Sequence, residues 1–69
     1  MTAPLVNHLK VHRKAKGLTQ AELATMVSVS RKTINTIENR VFIPSTVLSL
    51  RLAAALETSV HALFELEAD

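Results

Sequence analysis

Apolar residues along this chain recur every three or four positions, the spacing that lines one face of an α-helix, and five such segments follow one another. The first is predicted from about Asn7 to Lys16, with Leu5, Val6, Leu9 and His12 turned inward, and Gly17 suits the left-handed turn that ends a helix. The second begins at Thr19, which with Glu22 forms a capping box, and buries Leu23, Ala24 and Val27. Ser30 caps the third, in which Ile34 and Ile37 stand one turn apart. The loop from Arg40 to Ile43 runs into Pro44, which forbids a continuing helix. Ser45 then caps a fourth helix from Thr46 to about Leu56, with Leu48, Leu52, Ala53 and Leu56 on one stripe, and Ser59 caps a short fifth through Phe64. The tail Glu65-Leu66-Glu67-Ala68-Asp69 alternates polar and apolar like a strand, and the alternative to fraying is a two-stranded ribbon with Thr2-Ala3-Pro4-Leu5-Val6. The expected fold is all-α, a single five-helix domain over residues 1–69, with room for that small ribbon.

Only Val27-Ser28-Val29 separates the second helix from the third, so residues 19–39 have the layout of a helix-turn-helix, whose second helix lies in a DNA major groove. With Ile34 and Ile37 inward, about 100° per residue centres Lys32, Asn35, Thr36 and Asn39 on the outer face, flanked by Arg31 and Thr33. These side chains are donors suited to phosphates and base edges. The blander reading of the same face is a solvated surface, which any small helical domain must have.

Charge distribution favours the first reading. The net charge is only +2, but residues 1–40 carry +5 and residues 41–69 carry −3. A basic half holding the helix-turn-helix, joined to an acidic half, is the footprint of a nucleic-acid face and a separate far end.

Other chemistries find little support. The chain has no cysteine, hence no disulfide framework or thiolate metal site, which fits a reducing cytoplasm. His8 and His12 have the spacing of two ligands on one helix, but no carboxylate accompanies them and His61 is remote; no metal and no cofactor are expected. A glycine-rich phosphate loop and paired catalytic acids are both missing, so no enzyme is expected. Neither a signal peptide nor a spanning apolar run is legible, so no membrane role is expected.

The motifs Gly17-Leu18-Thr19-Gln20, Glu22-Leu23-Ala24, Val29-Ser30-Arg31-Lys32-Thr33-Ile34-Asn35, Ile37-Glu38-Asn39, Pro44-Ser45 and Ser59 to Leu63-Phe64 occur in register. In this combination the chain resembles the XRE-type helix-turn-helix family, the group that includes the lambdoid phage repressors and Cro. The resemblance implies a five-helix, lambda-repressor-like DNA-binding domain, usually a homodimer on a palindromic operator, acting as a transcriptional regulator. It implies base contacts from Arg31, Lys32, Thr33, Asn35 and Thr36, and phosphate contacts from Thr19, Gln20, Ser30, Asn39 and Arg40. Arg13 and Glu38 match an ion pair between the first helix and the end of the third. Dimer contacts are expected within about residues 59–69, from Val60, Leu63, Phe64 and Leu66 on the acidic half.

Three departures stand out. Ser28 stands where the family commonly has a turn glycine, so the turn must tolerate a side chain with strain at φ > 0, and Arg40 replaces the glycine that usually follows Asn39, where it adds a phosphate contact or the loop takes another path. Val41 and Val47 replace residues that are often polar. The leading expectation is a cytoplasmic, nucleoid-bound repressor whose partners are double-stranded operator DNA and a second copy of itself. The competing expectation is a protein-interaction module on the same fold, an antitoxin or a bridging co-regulator that holds a second protein.

Overall fold

The computed structural model describes residues 5–67. In order they form β1 (Leu5–Asn7), α1 (Leu9–Ala15), α2 (Gln20–Met26), α3 (Arg31–Glu38), α4 (Thr46–Ala55), α5 (Val60–Leu63) and β2 (Phe64–Leu66). Four helices start as their sequences dictate. Thr19, Ser30, Ser45 and Ser59 each accept a hydrogen bond from the backbone N–H three residues on, and Thr19 and Glu22 complete a reciprocal capping box.

The helix ends share one geometry. Gly17, Ser28, Arg40 and Glu57, each the second residue past α1, α2, α3 and α4, have φ of 70, 61, 62 and 55°. At each end the next residue's N–H reaches back to a carbonyl in the last turn: Leu18 to Arg13, Val29 to Ala24, Val41 to Thr36 and Thr58 to Ala53. Three of these left-handed positions hold a residue with a Cβ, which costs roughly 1–2 kcal/mol apiece.

The first helix begins later than the pattern predicts. Asn7 belongs to β1, and its Oδ1 accepts from the Leu9 N–H at 2.9 Å while its Nδ2 donates to the Ile37 carbonyl at 2.7 Å. The fifth helix ends one residue early, because Phe64 turns extended and pairs with Asn7. β1 and β2 are antiparallel, with Leu5 opposite Leu66 and Val6 opposite Glu65. Among the described residues the ribbon therefore exists and takes in Asn7 and Phe64, beyond the segments proposed from sequence; Thr2, Ala3, Pro4, Ala68 and Asp69 fall outside the described residues.

One core joins all the helices: Leu9, Leu23, Ala24, Val27, Ile34, Ile37, Leu52, Ala53, Leu56, Leu63 and Phe64 are buried. Leu63, the last residue of α5, and Phe64, the first of β2, thus pack into this protomer's own core; this corrects their expected place on a dimer surface. Val60 is half-buried and Leu66 is 79% exposed, so these two remain of the expected dimer residues as surface groups. Among the described residues no helix is long and apolar enough to cross a membrane, and no cluster of three or more His, Cys, Asp or Glu is arranged to hold a metal ion.

Candidate nucleic-acid interface

The candidate face is built on a buried charge. Arg13 of α1 donates from Nε to Glu38 Oε2 at 2.7 Å and from Nη2 to Oε1 at 3.2 Å, with side chains only 9% and 3% exposed. Its Nη1 donates to the Leu18 carbonyl at 2.8 Å, so the guanidinium also fastens the turn before α2. Burial by itself would raise the Glu38 carboxyl, but hydrogen bonds from Arg13 and Gln20 and the charges of Arg13 and Lys10 outweigh it and hold the group below its ordinary value. The same contact raises Arg13.

Gln20, the first residue of α2, extends this pair outward. Its Nε2 donates to Glu38 Oε1 at 3.1 Å and to Asn35 Oδ1 at 3.2 Å, while its Oε1 accepts from Arg31 Nη1 at 3.1 Å. The orientation of the amide is forced: an ionised carboxylate only accepts and a guanidinium only donates, so Gln20 must turn nitrogen to Glu38 and oxygen to Arg31. Asn35 in turn offers its oxygen inward, which leaves Nδ2 for an outside partner. A chain of polar contacts runs from the core to the outer face of α3.

On that face Arg31 and Lys32 are exposed in the first turn, and Thr33, Asn35 and Thr36 are half-buried. Asn39 and Arg40 are exposed in the turn that follows, and Arg40 approaches Glu67 at 3.9 Å. Ser30 and Thr33 pair through their hydroxyls at 3.0 Å, and Thr36 Oγ1 donates to the Thr33 carbonyl at 2.9 Å. Thr19 is exposed at the start of α2, and the hydrogen bonds it gives Glu22 hold that carboxyl below its ordinary value. The residues expected to meet DNA therefore fall on one continuous surface made by the start of α2, the outer face of α3 and the turn after it.

Two features of this surface are not legible in the sequence. The bridging role of Gln20 depends on the angle between α2 and α3, which no local spacing fixes. The second is a cleft of about 340 Å³ beside α3, lined by Ser30, Lys32, Thr33, Thr36, Val41 and Phe42. It forms because the N–H groups of Val41 and Phe42 both donate to the Thr36 carbonyl, at 2.9 and 3.1 Å, folding the loop back along the helix. The apolar character of Val41 was its only advance signal.

Comparison with known proteins agrees with this geometry. The family described as helix-turn-helix matches residues 9–63. A protein of Methanothermobacter thermautotrophicus described as an uncharacterized HTH-type transcriptional regulator is 42% identical over 62 residues, covering 88% of this chain and 90% of the relative. One of the same description from Methanocaldococcus jannaschii is 36% identical over 63 residues, covering 91% and 96%. Among solved structures, the clp gene regulator ClgR from Corynebacterium glutamicum superposes with a TM-score of 0.75 at 31% identity, over 78% of this chain and 57% of that one. The SinR protein/SinI protein complex gives 0.75 at 30% identity, over 90% and 58%. The chain thus spans little more than half of either solved chain but nearly the whole of both sequence relatives. With a capped α2, a short turn and an outward-facing α3 in place, the chain belongs to the XRE-type helix-turn-helix family of transcriptional regulators, which carry a DNA-binding fold and are not enzymes.

Proposed function

We propose that this regulator is a repressor that binds a palindromic operator as a homodimer in the cytoplasm. Arg31, Lys32, Thr33, Asn35 and Thr36 read base edges, and Thr19, Gln20 through its backbone N–H at the start of α2, Ser30, Asn39 and Arg40 hold phosphates. The observation that carries the reading is the polar chain from Arg13 and Glu38 through Gln20 to Arg31 and Asn35, which pre-orders donors on an exposed helix face. Ordering such groups before binding lowers the entropy cost of base recognition. Val60 and Leu66 supply the outward apolar contacts of the dimer, setting two α3 helices about 34 Å apart on successive major grooves.

The supporting experiment is a fluorescence-anisotropy titration of the duplex upstream of its own gene against a scrambled duplex, at several salt concentrations. Operator reading gives at least about a thousandfold preference and affinity that falls steeply with salt. Undetectable binding at low salt refutes it. A second reading, a module that holds another protein, is favoured by the exposure of Val41, Phe42, Ile43, Val47 and Leu50 and by the SinI partner in the SinR protein/SinI protein complex. It predicts co-purification of a partner that leaves when these residues are made polar.

A further inference from the structure

The cleft beside α3 has a chemistry that differs from the rest of the reading face. Three of its lining residues carry hydroxyls: Thr36 donates its proton to the Thr33 carbonyl, and Ser30 and Thr33 share a single hydrogen bond, which leaves one of their two O–H groups free. Thr36 lines the cleft with its hydroxyl proton already given to the helix. Val41, 78% exposed, and Phe42, 47% exposed, supply the opposite wall, and both are pinned through their N–H groups to the Thr36 carbonyl. Lys32 stands at the rim. The result is a recess with an apolar wall of Val41 and Phe42 facing the hydroxyl residues of α3, with Lys32 beside them, and it shares Lys32, Thr33 and Thr36 with the DNA-reading face.

From this placement we infer that the cleft is a subsite for the C5-methyl group of a thymine in the major groove. The inference rests on the DNA-reading function proposed above and specifies one base within it. A thymine presents an apolar methyl next to an acceptor oxygen, and threonine methyls and aromatic rings are the groups that take that methyl. The O4 acceptor beside that methyl suits the Lys32 ammonium, in keeping with the base-reading role given to it above. Cytosine at the same position lacks the methyl and would leave the wall of Val41 and Phe42 uncovered.

The test begins with duplexes selected from a random pool by the wild-type protein. Each thymine of a selected duplex is then replaced by deoxyuridine, which removes only the methyl. One thymine per half-site should lose affinity about fourfold on this change, the effect of one buried carbon. In Val41→Ser and Phe42→Ser proteins the same thymine and its deoxyuridine counterpart should bind equally well. Val41 and Phe42 lie on the surface, so circular dichroism should show both variants folded, and Val11→Ser, on the exposed side of α1, should keep the fourfold difference. If methyl removal costs nothing at any position, or costs the same in wild type and both cleft variants, the inference is overturned while DNA reading stands. If the pool yields no preferred duplex, DNA reading itself fails and the inference fails with it.

Discussion

Glu38→Gln should bring this small domain close to unfolding. The change keeps the size and shape of the side chain and removes only its charge, but it leaves the Arg13 guanidinium, 9% exposed, with no counter-charge. Breaking one half of a buried pair costs about 3–5 kcal/mol, because the surviving ion stays desolvated without compensation. A domain of 69 residues has a total stability of about 3–10 kcal/mol, so the loss consumes a third of it or more. Urea denaturation followed by circular dichroism measures the change, and the melting temperature should fall by at least about 12 °C. The paired substitution Arg13→Met with Glu38→Leu removes both charges together and should restore most of the loss, since apolar replacements of buried pairs are often neutral. A Glu38→Gln protein within about 1 kcal/mol of wild type would refute the reasoning, for it would mean that water solvates Arg13.

Other expectations follow from the same structure. Because Glu38 is held below its ordinary value of 4.5, its contribution is complete above that pH and disappears as pH falls through the depressed value. Acid titration of stability should show a decline below about pH 4.5 that is shallower in Glu38→Gln; Glu22 and Glu57, also lowered, add to it in the same direction, and high salt should screen their exposed share. Ser28→Gly should raise stability by about 1 kcal/mol by relieving a side chain at φ 61°, and Gly17→Ala at φ 70° should lower it by a similar amount although no atom stands within 4 Å of the added Cβ. Thermal melts of the two variants should therefore move in opposite directions. Lys32→Ala should cost about 1–3 kcal/mol on a selected operator if it meets a guanine, and far less on a scrambled duplex. Leu66→Ser should weaken any dimer measured by sedimentation, whereas Leu63→Ser should unfold the protomer, since that side chain is wholly buried.

The sequence displayed the parts of the molecule whose physics is local. The caps at Thr19, Ser30, Ser45 and Ser59 stand where hydroxyl residues precede apolar helical spacing, and each makes its expected bond. The inward direction of Ile34 and Ile37 followed from their separation by one turn, and both are fully buried. The positive φ of Ser28 was anticipated only through the glycine that the resembling family commonly has there. Non-local physics was hidden. Helical spacing through Leu63-Phe64 reads as a continuing helix, yet Phe64 pairs with Asn7, far along the chain, and is extended, while Leu63 still ends α5; both Leu63 and Phe64 are buried. Glu57 gave no warning of its left-handed backbone, because the demand comes from how α4 must end and not from the residue itself. At the candidate site the identities of the donors were visible, and Arg13 with Glu38 entered only through family resemblance. The relay through Gln20 and the apolar wall of Val41 and Phe42 depend on how α2 and the loop after α3 lie against α3.

The most direct test of the central claim is to map amide chemical-shift changes in the 15N-labelled protein as an operator duplex is added. If α3 reads DNA, the largest changes fall at the start of α2, along residues 31–36 and in the turn at 39–42, with little change in the body of α1. Changes confined to residues 60–66, or scattered evenly over the surface with no cluster on α3, would contradict it.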